Sequence, residues 1–551
     1  MITSKYSKRL GFLVFCLAFT LTMCGAAAAA PTNSTHVNLN QSVNHSVTPL
    51  NTTTTTKLPD PQVYNGSTYV GTYSTIADAI SAAKSGDTIM LANGATFNEH
   101  GLTVSKNLVF NVFNNGTSTI NAQGVGQIFF IVGGVTVELE NLILENGKAT
   151  DGGAIGNVGG LTVKDCSFTD NTATSDGGAI SNDGILTVNN STFTSNTATS
   201  DGGAIYNLPM SFNVTGSTFT NNSANEGGAI YNTGGALNYP VKISSSTFTT
   251  NSAKEVGGAI YNIDGSSLTV TDSKFTSNTA QYGGAIDNDG TLNVIGNTFT
   301  GNTATAGIDK GGAAIYNDGK LIVSYSIFIG NKADNIGTID NDMGGTCTVI
   351  SSDFSGNTAT NGGGAIFNGN DSNLTVLDST FTGNKATYGG ALNNIGTATL
   401  HFNRIVGNTA TYGSAVYNDA GKVDAILNWW GCNVGANVAK QISNTNGGTA
   451  TYNPWIILTI TANPTSVSIG DYSTITADLL HDSNGVYENP ANGLVPYTGS
   501  AGFATTKGTI NNSDFFNGEA TSTLTNLNTA GVANVSATVD GKIVQTSVTV
   551  K

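Results

Sequence analysis

Apolar and polar residues alternate singly along most of the chain, in runs such as "AIYN", "LTV" and "TFT", and one stretch alone keeps a convincing helical period. That stretch is "STIADAISAAKSGD", where Ile76, Ala79, Ile80 and Ala83 fall at i, i+3, i+4 and i+7. Ser74 or Thr75 is placed to cap its N-terminus and Gly86 to stop it, so the spacing predicts a short amphipathic helix. Strand-like segments follow at "DTIMLA", "LTVSKNLVFNVF", "IFFIVGG" and "VTVELENLILEN". A helix ahead of such an array predicts a cap over the open first rung, whose unpaired edge would otherwise recruit other strands. Residues 63–130 are therefore assigned to an N-terminal cap and opening coils.

Beyond this point one unit recurs. GGAI-like tetrads begin at Gly152, Gly177, Gly202, Gly227, Gly257, Gly283, Gly311, Gly337, Gly363, Gly389 and Gly413, the first four spaced by 25 residues and the later ones by 24 to 30. Between them run Phe168, Phe193, Phe219, Phe248, Phe275, Phe299, Phe328, Phe354 and Phe381, each three residues before an Asn. Within a unit the period of two sends Ile, Leu and Val one way and Tyr and Thr the other. Segments this short hold no sheet by themselves, whereas stacked copies bury a continuous apolar column. Equivalent strands of successive units then run parallel, and parallel crossovers are overwhelmingly right-handed. The predicted fold is all-β: a right-handed parallel β-helix of the pectate-lyase-like kind, one coil per repeat, over residues 131–454.

The same stacking accounts for two asparagine columns. Asn157, Asn182, Asn207, Asn232, Asn262 and Asn288, with successors to Asn418, stand at one fixed place in the unit; Asn146, Asn171, Asn196, Asn222 and successors to Asn408 stand at another. An inward amide at a bend donates to one neighbouring coil and accepts from the other, which predicts a polar ladder that satisfies itself. At 427–433 "LNWWGCN" breaks the pattern, and Trp429 and Trp430 are expected to cover the bottom of the column. From residue 455 alternating strands separated by turn signals predict an Ig-like β-sandwich over 455–551, without the cysteine pair.

Composition changes this picture at the ends and on the surface. Lys5, Lys8 and Arg9, an apolar stretch from Leu10 to Met23 and a run from Ala26 to Ala30 mark residues 1–30 as an export signal. Residues 31–62 are Asn/Thr/Ser-rich and predict a flexible tether, with glycosylation sequons at Asn33, Asn44 and Asn51. Loss of the signal leaves 18 basic against 36 acidic residues, a charge of −18, with Arg404 the last arginine. Such a chain has nothing to grip a phosphate backbone, which excludes nucleic acid as a partner. After the signal only Cys166, Cys347 and Cys432 remain, and Cys166 and Cys347 lie seven repeats apart, so free thiols are expected.

With these residues laid out, the GGAI and FTxN tetrads resemble the repeat of chlamydial polymorphic membrane proteins, which are β-helical adhesins. The whole layout is similar to the adhesin-like surface proteins of methanogenic archaea: signal, "IADAI…GDTI" cap, coils, "NWWG" exit and "TANPTSVSIGDYSTITADL". The C-terminal part resembles the invasin/intimin type of Ig-like domain. The resemblance implies an extracellular, secreted or surface-associated adhesion or envelope role, with cell-surface glycans, proteins of neighbouring cells and envelope components as partners. The residues up to Lys551 show no autotransporter barrel, sorting signal or membrane helix, so the mode of anchoring is left open.

Two columns are candidates for binding. The place between Ile and Asn holds Tyr206, Tyr231, Tyr261, Tyr316, Phe367 and Tyr417, with Gly156, Ser181, Asp287, Asp340 and Asn393 in other coils. Alternation points this row outward, where aromatic rings stack on sugars, fill partner pockets or stack on one another to stiffen the rod. Just before the glycine pairs Asp151, Asp176, Asp201 and Glu226 stand in register. Carboxylates about 5 Å apart repel unless screened, which suggests Ca²⁺, although Asp before Gly is also ordinary turn chemistry. No other cofactor is expected. Catalysis is the competing reading, since some β-helices cleave polysaccharides. The five histidines (His36, His45, His100, His401 and His481) are isolated, however, and no acid/base pair or nucleophile motif stands out.

Overall fold

A computed structural model describes residues 60–551 apart from 209, 235–240 and 308–310. The export signal, the three sequons and nearly all of the tether lie outside the described residues. Residues Leu58–Lys551 form one compact unit.

The fold is the all-β parallel solenoid that the repeat predicts. One coil runs through strands Ile180–Asn182, Ile185–Asn189, Thr192–Thr194 and Thr197–Ala198 before the next glycine turn. Each strand pairs in register with its equivalent one coil away, as Ile180 does with Ile205 and Phe193 with Phe219. Four sheets result, named here by their residues. The Ile-x-Asn sheet has 14 strands, the Leu-Thr-Val sheet 17 with its capping strands, the Phe sheet 13 and the Thr-Ala sheet 11.

Inward residues are fully buried, including Ile180, Leu186, Val188 and Phe193, each worth about 1.5–3 kcal/mol on burial. Nine phenylalanines from Phe168 to Phe381 form an unbroken stack with ring centroids 4.6–5.0 Å apart and planes within 7° of parallel. At the bends Asn157 Nδ2 donates to Asn182 Oδ1 at 2.6 Å, Asn182 to Asn207 at 2.8 Å and Asn207 to Asn232 at 3.0 Å. The second column does the same from Asn171 onward, and each amide also donates to a carbonyl of the preceding coil, Leu144 O for Asn171 and a Phe carbonyl thereafter, as Asn196 Nδ2 does to Phe168 O at 3.0 Å. Asn146 is not a rung of it. It takes the left-handed turn conformation (φ 55°), and Gly147 stands at the ladder position.

A third ladder escaped the sequence reading. The backbone N–H of Ser191 donates to Ser217 Oγ, that of Ser217 to Ser246 Oγ and that of Ser246 to Ser273 Oγ, at 3.0–3.2 Å. Cys166 heads this column, and burial pushes its thiol up to about 12. In every tetrad but that of Gly311 the first glycine adopts positive φ. A Cβ on the second would lie about 2 Å from a carbonyl of the next coil, as at Gly203 with Gly228 O at 2.1 Å. In the coil of Gly311 the positive-φ residue is Gly312, and Ala313 takes the second place. The residues Gly312–Ile315 thus stand in the tetrad's place, one position later than the first glycine, and the next coil's turn, Gly337–Thr338–Ile339, is a residue shorter.

At the N-terminal end the helix spans Ile76–Ala82 and buries Ile76, Ala79 and Ile80 in the solenoid core. Thr75 Oγ1 accepts from the Asp78 N–H at 3.0 Å, and Glu99 accepts from the N–H groups of Ile76 and Ala77 at 2.8 and 3.1 Å. Lys106 Nζ donates to the carbonyls of Ile80, Ser81 and Ala83, so opposite charges complement the two helix ends. The sheet edge is covered by something else: a hairpin of Gln62–Asn65 and Thr68–Thr72 pairs antiparallel with Asp87–Leu91. A second short helix, Gly435–Ala439, was too brief to show a period.

The adjacent tryptophans part company. Trp430 joins the solenoid core, as expected of a bottom cover, but Trp429 enters the core of the C-terminal sandwich. That sandwich packs a sheet of Ile456–Asn463, Ser473–Asp482 and Glu519–Leu524 against a five-stranded sheet centred on Gly531–Val539 and Lys542–Val550. Trp429 Nε1 donates to Asp540 Oδ2 at 2.7 Å, and Arg404 Nε donates to the same oxygen at 3.0 Å while Nη2 reaches Oδ1. The guanidinium also lies 5.3 Å from the Tyr497 ring centroid. Arg404 thus ties the solenoid to the sandwich.

Candidate functional site

The outward face of the Ile-x-Asn sheet is the floor of a trough. The residue between Ile and Asn rises from the middle of each strand; the residue before the glycine pair and the residue after the Asn form its two walls. Register places Phe130, Gly156, Ser181, Tyr206, Tyr231 and Tyr261 in one line along the floor.

Tyr206, Tyr231, Tyr261 and Tyr417 are half-buried, whereas Tyr316 and Phe367 are only 3% and 8% exposed. The row is therefore not the open aromatic face that alternation suggested. Its rings lie against one another: Tyr206 on Tyr231 at 5.2 Å, Tyr231 edge-on to Tyr261 at 5.3 Å, and Tyr417 against Tyr388 at 4.9 Å. Tyr261 donates to Asp289 Oδ2 at 2.6 Å, and Tyr316 packs beside Tyr282 at 6.0 Å. Burial first, then neighbouring carboxylates, raises the phenol pKa of Tyr206, Tyr231, Tyr261 and Tyr316. These hydroxyls stay protonated.

One wall carries Asp151, Asp176, Asp201 and Glu226. The Asp176 N–H donates to Asp151 Oδ1 at 3.3 Å and the Asp201 N–H to Asp176 Oδ1 at 3.2 Å, so the Asp151 and Asp176 carboxylates also prop the next coil. Among the described residues no group of three or more His, Cys, Asp or Glu gathers closely enough to hold a metal ion. Burial, then Glu226 and Asp176, pushes Asp201 up to about 7. Glu226 is raised by burial, Glu255 and Asp289, and Asp183 by burial and Asp151.

The trough opens at its first coils. Gly156 and Ser181 stand where the next three coils hold tyrosine, leaving a cleft of about 550 Å³. Phe130, 41% exposed, and Tyr206 close its ends; Asp151 and Asp176 line one side and Asp183 the other. Among the described residues none of its lining is basic. Gln127 Nε2 donates to the carbonyls of Asp151 and Gly152 at 2.9 and 2.7 Å and fixes the wall. Any Cβ at Gly156 would come within 3.1 Å of the Phe130 ring. Phe130, Asp183 and the Gly156/Ser181 gap were not among the residues singled out from sequence. The only signal was the missing tyrosine in the first two tetrads.

Elsewhere, Arg404, the one arginine among the described residues, is taken by Asp540, while His401 and His481 lie 3.0 and 2.8 Å from Asp424 and Asp478. Cys166 and Cys347 are buried free thiols, each pushed up to about 12 by burial, and Cys432 is half-buried.

Five stretches, 165–183, 190–208, 216–233, 245–263 and 351–369, match the Chlamydia polymorphic membrane protein repeat. Each runs from the Phe sheet through the glycine turn to the Ile-x-Asn strand, so the repeat is one bend of the solenoid together with part of the trough floor. The matched stretches make up well under half of the chain. No curated protein and no solved structure gives a match to it.

Proposed function

We propose that this protein is an adhesin-like component of the cell surface, a stiff solenoid that presents the Ile-x-Asn trough to glycans or proteins of neighbouring cells or of the envelope. The carrying observation is the match of five coils to the polymorphic membrane protein repeat, a repeat of surface-exposed proteins. The trough supports it: it is rigid, follows the solenoid axis, and varies from coil to coil while the Gly, Asn and Phe positions around it repeat. The two packed C-terminal sheets, read as an Ig-like module of the invasin/intimin type, would serve as a spacer tied to the rod through Arg404. Export and an archaeal surface setting belong to the same reading.

Protease shaving and antibody labelling of intact cells, followed by adherence of beads coated with the full chain, test the role. Labelled cells and saturable bead adherence are expected; a chain found only inside the cell, or beads that adhere no better than albumin-coated ones, would sink it. A β-helix carbohydrate-active enzyme is the second reading, favoured by one observation, the Asp201 carboxyl held near neutrality beside a cleft. Release of reducing ends from polysaccharides, lost in Asp201→Asn, would favour it over adhesion. A purely structural envelope component would show neither adherence nor turnover.

A further inference from the structure

We propose that the cleft between Phe130 and Tyr206 is a subsite for one or two rings of an uncharged saccharide. This deepens the binding role proposed above and rests on it. The space opens over Ser181, where the tyrosine of the following coils is replaced, with Phe130 and Gln127 closing in over Gly156, and its volume of about 550 Å³ suits a small ligand. Its ends are ring faces and its sides are the carboxylates of Asp151, Asp176 and Asp183. A pyranose presents the complement: C–H faces that pack on aromatic rings and a rim of hydroxyls that donate to carboxylates.

The same chemistry excludes other occupants. Acidic sugars meet three carboxylates with no basic residue among the described lining, and like charges at such range repel. An extended peptide adds to a sheet edge through its main chain, but this floor is the face of a sheet whose backbone groups are already paired along the stack. Because the floor is strand and the Gln127 wall is hydrogen-bonded in place, little ordering is left for binding.

Two variants report on the cleft. Tyr206→Ala removes one end, and Ser181→Tyr extends the tyrosine row one coil, a residue that this position of the repeat accepts in three successive coils. The full chain is titrated calorimetrically with neutral hexose and N-acetylhexosamine oligosaccharides, with uronic-acid oligosaccharides and with putrescine. The expected result is neutral-sugar binding, weakened at least tenfold by Tyr206→Ala and abolished by Ser181→Tyr, with both melting transitions kept. Tyr325→Ala, an exposed tyrosine on another face, should leave it unchanged. Undiminished binding by folded Ser181→Tyr, preference for acidic sugars, or putrescine displacing the sugar at equal concentration would overturn the subsite. So would beads that adhere to cells while no neutral saccharide binds the chain, an outcome that leaves the adhesin reading intact.

Discussion

Single residues in this protein are judged by the column they occupy. Cys166 lies among the serines of the third ladder and its thiol sits 3.2 Å from the Lys164 carbonyl, whereas Cys347 stands between Leu321 and Leu374 in an apolar column. Sequence alone assigned both as free thiols without separating these roles. Asp201 gives the clearest solution signature. Its carboxyl is held at about 7 when folded and returns to about 3.9 when unfolded. Between those values the folded chain keeps a proton that the unfolded chain has released, so the stability this group contributes is fully present below about pH 4 and is lost as pH rises toward 7. Asp183 and Glu226 are raised as well and act in the same direction. Asp201→Asn should match the parent's melting temperature near pH 4.5 and exceed it by a few degrees at pH 8, with a flatter profile between. A variant that tracks the parent at every pH would refute the assigned cause.

At the scale of elements, hydrogen-bonded columns do what cross-links do in smaller domains. Asn278 accepts from both the N–H and the side-chain amide of Asn251, and donates to Asn302 and to the Phe248 carbonyl, all at 3.0 Å. Asn278→Ala would strip partners from the two neighbouring coils at once, from Asn251 and Phe248 on one side and Asn302 on the other, at a cost of about 3–5 kcal/mol, given about 1–3 kcal/mol for each buried group left unpaired. Urea unfolding followed by circular dichroism checks this; a loss below 1 kcal/mol would mean that water replaces the amide. The asparagine and phenylalanine columns were legible because stacking demands strict repetition. The serine ladder was less so, since asparagine replaces serine at Asn297, Asn403 and Asn428 and Cys166 begins it, and the hydrogen bonds run through backbone N–H groups that no residue pattern displays.

Across the whole molecule, the unexpected feature is the joint between solenoid and sandwich. Arg404 and Asp540 are 136 residues apart and their side chains are only 17% and 7% exposed. Arg404→Ala would leave the Asp540 carboxylate buried with Trp429 as its remaining donor, and one-sided removal of such a pair costs about 3–5 kcal/mol. Calorimetry should then show the sandwich melting ahead of the solenoid. The double variant Arg404→Met/Asp540→Leu should recover much of the loss, because no charge is left unpaired. A single coincident transition in Arg404→Ala would show that the apolar packing around Trp429 couples the two parts without the ion pair.

The sequence by itself determined the solenoid: its strands, one coil per repeat, the inward Ile, Leu, Val and Phe columns and the asparagine bends, because identical short strands bury an apolar face only by stacking. It also displayed both columns that wall and floor the trough. Tertiary structure alone decided which of those positions are open. Alternation separates inward from outward but is blind to how far a neighbouring coil's side chain leans over an outward residue, so it could not distinguish the buried Tyr316 and Phe367 from the accessible head of the row at Tyr206. Nor could it show that a missing tyrosine at Ser181 leaves a cleft beside Phe130, or that Arg404 finds its partner across the joint, since both depend on distances between residues far apart in the chain.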